Sequence, residues 1–307
     1  MISTHNNQDL DRPYSGRIIP KNKNPDSNMN TPQEIQLKIT AGCDGAHERE
    51  AEKMAEWMPN LIIIGAPKSA TSTLAYTLSK HENVFCCSPS EPKFFGSRYH
   101  KGWDWYSKIF QKGRKYKTRI EASTKYASSE DLFSRTPELI HRYAPTTKLV
   151  YLARSPIERT VSHWRHFKGR FSNKAVSDFS EILDDENLTK RIVQCSMYFE
   201  QINRFRQYFS DSQIHCMTFE DLTKKPIKTL NSLFKFANIN GHPKQLMVTN
   251  EDGERKLPHK NQAGAKKRTF IEAPEISNAF EARLRQHFKT DSEEFLNYIK
   301  KPADYWG

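Results

Sequence analysis

The chain has 307 residues, enough for one large α/β domain or two small ones with a sizeable core. Its 48 Lys and Arg against 36 Asp and Glu give a net charge of +12, which suits an anionic ligand. Five cysteines (Cys43, Cys86, Cys87, Cys195, Cys216) show neither a disulfide framework nor a zinc spacing, no apolar run approaches a membrane span, and the opening residues are too polar for a signal peptide. A disulfide-stapled secreted domain, a structural zinc protein and an integral membrane protein are therefore set aside, and a cytoplasmic protein with reduced thiols and no membrane partner is expected.

Residues 1–57 are rich in Asn, Asp, Pro and Ser, with seven basic and nine acidic side chains, so they are near −2 and the remainder is near +14. They read as a partly disordered N-terminal extension, with strand-like alternation over Glu34–Thr40 and a short helix over Ala46–Trp57. The body of the protein is expected over 58–307. It opens with Leu61-Ile62-Ile63-Ile64, a continuous apolar run of the kind that forms a buried parallel strand. Gly65 and Pro67 end the strand, a turn carrying Lys68 follows, and a helix is predicted over Ser72–Lys80 with Leu74, Tyr76 and Leu78 available to pack. The free N–H groups of a first helical turn, one lysine and the hydroxyls of Ser69, Thr71, Ser72 and Thr73 together make a phosphate site. It is not a Walker A loop, because only Ala66 and Pro67 separate Gly65 from Lys68 and no glycine precedes the lysine.

Asn83–Cys87 reads as a second strand. It is followed by Ser88-Pro89-Ser90-Glu91-Pro92-Lys93-Phe94-Phe95, in which two prolines keep the backbone extended and present Glu91 just beyond a strand end. Trp103-Asp104-Trp105-Tyr106 reads as a core contribution. Lys148–Ala153 is a further apolar strand, placing Arg154 at its C-terminal end. Pro156 then opens a helix behind Ser155, a natural N-cap, with Ser162 two turns in. His163 and His166 lack a third ligand nearby, so no metal is expected, and both read as solvated or acceptor-facing. The polar segment Phe171–Arg191 suggests a flexible flap. Beyond it a long helix is predicted over Cys195–Phe209 with Tyr198, Ile202, Phe205 and Phe209 on one face, then a strand Ile214–Met217 and a helix Pro226–Ala237. A basic loop at 254–268 and helices over Glu275–Phe288 and Ser292–Lys300 complete the chain.

Taken together these segments resemble the sulfotransferases that use 3′-phosphoadenosine 5′-phosphosulfate (PAPS), particularly the heparan-sulfate type and soluble bacterial members. The turn at Pro67-Lys68-Ser69-Ala70-Thr71-Ser72 is similar to that family's Pro-Lys-Ser-Gly-Thr-Thr loop, with Ala70 in place of glycine. Ser90-Glu91-Pro92-Lys93-Phe94-Phe95 is similar to its Lys-Glu-Pro-x-Phe-Phe element, and Leu152-Ala153-Arg154-Ser155-Pro156 through Arg159 and Ser162 to its 3′-phosphate segment. The resemblance covers roughly residues 59–240 and implies a P-loop-like three-layer α/β/α sandwich around a central parallel sheet. It implies sulfuryl transfer from PAPS, with release of adenosine 3′,5′-bisphosphate (PAP), to a hydroxyl or amine of a small metabolite such as an alkaloid or polyketide, or of a carbohydrate. Lys68 and Glu91 become the catalytic residues. Lys68, Ser69, Ala70, Thr71, Ser72 and Thr73 hold the 5′-phosphate, Arg154 and Ser162 the 3′-phosphate, and one of Lys266, Lys267 and Arg268 closes over it. Arg119–Tyr126 is similar to the family's Gly-Glu-x-Ser/Thr-Pro-x-Tyr element at a third strand end, with Thr124 in place of proline. This implies that Glu121 orders loops and Lys125 faces the acceptor. Glu220 is expected to be structural and Arg159 to pair with acidic neighbours. His100, His163 or His166 is the reserve for the base. No metal and no nucleic-acid partner is implied. The competing reading is a nucleotide-dependent phosphotransferase with a related phosphate loop.

Overall fold

The computed structural model describes residues 58–170, 176–250, 255–258 and 271–307. The expected N-terminal extension with its strand and helix, part of the expected flap, and Lys266, Lys267 and Arg268 lie outside the described residues.

Five parallel strands form the central sheet: β1 (Leu61–Gly65), β2 (Val84–Cys86), β3 (Thr118–Glu121), β4 (Lys148–Ala153) and β5 (Ile214–Thr218), in the order β2-β3-β1-β4-β5. The near-continuous apolar runs of β1 and β4 are explained by burial on both faces. Ile62, Ile64, Leu149 and Tyr151 enter one core, whereas Leu61, Ile63, Val150 and Leu152 enter the other. The first core is closed by α2 (Gly102–Phe110), α3 (Thr136–Tyr143) and α6 (Tyr198–Arg206), through Trp103, Tyr106, Leu139, Ile140, Ile202 and Phe205. The second is closed by α1 (Thr71–Leu78), α7 (Phe219–Lys224) and α8 (Pro226–Ala237), through Leu74, Leu78, Leu222, Leu230 and Phe234. Crossovers running toward β5 lie over the first face. The one running away from it, β1 to β2 through α1, lies over the second, as a constant right-handed connection requires. This is the three-layer sandwich expected.

The connection leaving β1 runs one way along the sheet and the connection leaving β4 runs the other. The C-terminal ends of these adjacent strands are therefore the topological switch point, where an open α/β sheet leaves a crevice for ligands. The sequence singled out the loops that follow these two strands.

Three expectations need correction. The Phe171–Arg191 flap is, over its described part, a packed element. Phe179, Ile182 and Leu188, the last on α5 (Glu186–Arg191), form a third core with Trp164 of α4 (Pro156–Arg170) and with Leu284 and Phe288. The helix expected over Cys195–Phe209 is a 3-10 turn, Val193–Ser196, followed by the shorter α6, although the four apolar residues named for its inner face are all buried. The two C-terminal helices are one continuous α9 (Asn278–Tyr298). A small antiparallel ribbon, β6 (Val248–Thr249) with β7 (Arg255–Lys256), stands apart from the sheet.

Candidate active site

The chain leaves β1 through Gly65, where a Cβ would lie 2.6 Å from the Tyr151 ring and 2.9 Å from Ala127 Cβ, so only glycine fits against β4. Ala66 N–H donates to Leu152 O at 2.8 Å, holding the start of the loop on β4. Lys68 (φ 72°) and Ala70 (φ 64°) then both adopt left-handed backbone, at a cost of roughly 1 kcal/mol or more each. This accounts for the glycine of the resembled motif, since Ala70 occupies a conformation that glycine adopts without strain. Ala70 is the N-cap of α1 and gives no side-chain cap, and the first turn holds no acidic residue. The first intrahelical bond is Leu74 N–H to Ala70 O at 2.9 Å, so the N–H groups of Thr71, Ser72 and Thr73 precede it. An uncapped helix start with a lysine in its leading turn is built to receive an anion. Ser69 is fully buried, and its hydroxyl has no hydrogen-bond partner among the described residues, an orphaned donor of the kind a phosphate satisfies. The other hydroxyls do not converge equally: Thr71 is buried, Ser72 exposed and Thr73 half-buried.

Beyond β4, Arg154 lies across the Phe219 ring, 4.6 Å from its centroid, and its Nε and Nη2 donate to Glu158 Oε2 at 3.0 and 2.7 Å. Its own carbonyl accepts the Tyr198 hydroxyl at 2.6 Å, and Glu220 Oε1 accepts Ser155 N–H at 2.9 Å, which fixes the turn and bears out a structural Glu220. Ser162 is half-buried two turns along α4. Arg159 departs from expectation. It is fully buried and donates to Ser196 Oγ (2.5 Å), Ile192 O, Thr160 Oγ1 (3.3 Å), His163 Nδ1 (3.0 Å) and Pro67 O (3.4 Å), with no carboxylate among these partners. The contact to Pro67 ties α4 to the residue before Lys68. His163 is buried rather than solvated. Burial first, then the charges of Arg159, Lys125, His166 and Lys68, hold it well below the ordinary histidine range. Because a guanidinium can only donate, its Nδ1 is the acceptor and the proton sits on Nε2.

Glu91, beyond β2, is held by the segment that follows β3. Ala122 N–H donates to Ser90 O at 3.0 Å, Thr124 Oγ1 donates to Glu91 Oε1 at 3.3 Å, and Lys93 Nζ lies 3.4 Å from Glu91 Oε2. The side chain of Glu91 retains about a third of its exposure, so it is open to a ligand. Ala127 N–H donates to Ile64 O at 3.0 Å, bringing the segment after β3 against β1. Lys125, expected to face an acceptor, pairs with Glu130 and donates to Arg191 O at 3.2 Å. Trp103 and Tyr106 are fully buried, as a core reading requires, but Tyr106 also serves Glu121. Glu121 does order loops, from full burial, through hydroxyls at 2, 5 and 15 residues' distance that the local sequence did not mark as a set.

Among the described residues no group of three or more His, Cys, Asp or Glu could hold a metal ion. A cleft of about 260 Å³ lies on the outer side of edge strand β5, lined in part by Lys225, Lys228 and Lys301. It includes none of the residues above, and its carboxylate, Asp221, is already engaged by Lys301 at 2.5 Å, so the chemistry is assigned to the switch point instead.

A family profile described as a sulfotransferase domain matches residues 58–297. A bifunctional heparan sulfate N-deacetylase/N-sulfotransferase 4 of Mus musculus is 26% identical over 220 residues, 65% of this chain and 25% of the relative. A human heparan sulfate glucosamine 3-O-sulfotransferase 5 is 28% identical over 195 residues, 61% of this chain and 55% of the relative. The chain thus spans between a quarter and about half of these curated relatives. In fold it is similar to a sulfotransferase of Alicyclobacillus acidocaldarius, with a TM-score of 0.59 and 19% identity over 81% of this chain and 98% of that one.

Proposed function

Because this chain belongs to the sulfotransferase domain family, whose profile covers residues 58–297, we propose that it transfers a sulfuryl group from PAPS to a hydroxyl or amine of a carbohydrate or small-molecule acceptor and releases PAP. The observation that carries this reading is the uncapped start of α1, preceded by Lys68 in strained left-handed backbone, at a switch point shared with Arg154. The orphaned Ser69 hydroxyl and the N–H groups of Thr71, Ser72 and Thr73 suit a 5′-phosphate. Arg154 suits a second phosphate, since a planar guanidinium binds that group in two-point fashion. Its present partner Glu158 is largely exposed, and an exposed pair is worth about 1 kcal/mol or less, so an arriving phosphate displaces it at small cost. Ser162 and one of Lys266, Lys267 and Arg268 complete that contact by resemblance.

The donor brings an activated sulfuryl group. Lys68 neutralises the charge developing on the phosphate oxygen as its bond to sulfur breaks. Glu91 takes the proton from the acceptor as the new bond to sulfur forms. Both curated relatives named above carry heparan sulfate in their names, which favours a carbohydrate hydroxyl or amine over an alkaloid or polyketide. The family match leaves the phosphotransferase alternative without support. Lys68→Ala is expected to lower turnover of labelled PAPS by about 10²–10³-fold with an unchanged melting temperature. Turnover retained near the parent rate overturns the assignment.

A further inference from the structure

Glu121, the last residue of β3, is fully buried, and its described partners are three hydroxyl groups rather than a cation. Oε2 accepts from Tyr106 at 2.5 Å, and Oε1 accepts from Ser123 at 2.6 Å and Tyr126 at 2.5 Å. Burial pushes its pKa up, and the nearby charge of Glu91 adds to this, while the three hydroxyls pull it back. Both phenols are held well above their ordinary range, chiefly by burial and then by Glu121, so they remain protonated donors.

A hydroxyl has one proton to give. Ser123 and Tyr126 spend theirs on Glu121, which leaves each oxygen only as an acceptor. Those two oxygens accept the backbone N–H groups of Lys93 (2.8 Å) and Phe95 (3.0 Å), immediately beyond Glu91. Phe94, between them, stacks on Tyr106 with ring centroids 4.2 Å apart and 8° between the planes. Residues 122–124, leading out of Glu121, hold the other side: Ala122 on Ser90 O and Thr124 on the Glu91 carboxylate. One buried carboxylate thus sets the direction of two hydroxyls, and these pin two amides of the loop that presents Glu91.

We propose that Glu121 is the positioning residue for Glu91, acting through Ser123 and Tyr126 to fix the Ser90–Phe95 loop at the acceptor side of the site. The proposal rests on the reading of Glu91 as the acceptor base. An aligned proton acceptor gains from a preorganised geometry, and loosening its loop lowers the rate of transfer without altering how the nucleotide is held.

The test uses the full chain and Ser123→Ala, Tyr126→Phe, Glu121→Gln and Glu91→Gln variants. Amide exchange at Lys93 and Phe95 is followed by mass spectrometry, PAP affinity by calorimetry, and PAP release from labelled PAPS with water or a glucosamine oligosaccharide as acceptor. Ser123→Ala is expected to speed exchange at Lys93, and Tyr126→Phe at Phe95, by about tenfold each; Glu121→Gln should speed both, with PAP affinity within about twofold of the parent. Each should lower kcat by about tenfold at unchanged KM for PAPS, and none should lower it further in the Glu91→Gln background. Unchanged exchange in Ser123→Ala and Tyr126→Phe overturns the proposal, and so does an equal loss of rate with and without Glu91. If Glu91→Gln alone keeps the parent rate, the base reading fails, and the exchange data still decide whether Glu121 pins the loop.

Discussion

Glu121 and Arg159 are an acidic and a basic side chain, both buried at 0% exposure, and each is held by neutral groups. Glu121 receives three hydroxyl protons, whereas Arg159 gives its protons to two backbone carbonyls, two hydroxyls and one imidazole. Burying a charge against dipoles alone costs more than filling the same space with apolar atoms, so such groups persist where their sign or their geometry is used. Here each stands behind a loop. Arg159 leaves positive charge beneath the loop of Lys68, the loop proposed to bind an anion, and grips it at Pro67 O. Glu121 gathers three hydroxyl donors behind the loop of Glu91, the residue proposed to take the acceptor's proton. The two pockets use the same device with donor and acceptor exchanged.

The Arg159 side is expected to be the more costly to break. Arg159→Met removes the donor for Ile192 O, Pro67 O and Ser196 Oγ together, and each orphaned buried acceptor costs roughly 1–3 kcal/mol. A loss of about 3–5 kcal/mol in chemical denaturation is expected, with weaker PAP binding by whatever fraction still folds. A loss under about 1 kcal/mol would mean that the guanidinium holds nothing the methionine cannot replace.

Titration separates the two pockets by sign. His163, beside Arg159, has a folded pKa well below the unfolded value of about 6.5. As pH falls below 6.5 the unfolded chain takes up a proton that the folded chain refuses, so the contribution is fully present above 6.5 and is lost on acidification. Glu121 runs the other way: its folded pKa is raised above 4.5, so its contribution is present at low pH and is lost as pH rises through the folded value. His163→Asn keeps an acceptor near the Nδ1 position and cannot titrate. It is expected to flatten the decline in stability below pH 6.5 by up to about 1.4 kcal/mol per pH unit, read from denaturant midpoints at stepped pH. An unchanged slope would show that His163 does not carry that decline.

The sequence made the frame legible where one physical rule dominates. β1 and β4 are buried on both faces, and their apolar runs declare it; the turns that follow them carry Lys68 and Arg154 where the switch point lies. The misreadings arose where a residue serves a distant element. The gap expected between the helices over Glu275–Phe288 and Ser292–Lys300 is helical; Asp291 within it lies inside α9, and its oxygens accept the N–H groups of Phe199 (3.2 Å) and Glu200 (2.8 Å), capping α6. The segment before Ile192 looked like a flap because its apolar residues are scattered among charges, and only Trp164, Leu284 and Phe288 from elsewhere in the chain turn them into a core. Arg159 was expected to find a carboxylate because cations usually do, and carbonyls are invisible in a sequence.

The central claim is that the crevice beyond β1 and β4 holds a nucleotide bisphosphate, and calorimetric titration of the full chain with PAP in the presence of EDTA tests it most directly. One binding site is expected, weakened at least tenfold in Lys68→Ala and in Arg154→Ala, since each removes a charge-assisted contact worth about 1.5–3 kcal/mol. No heat of binding from the parent chain, or equal affinity in both variants, would contradict the account.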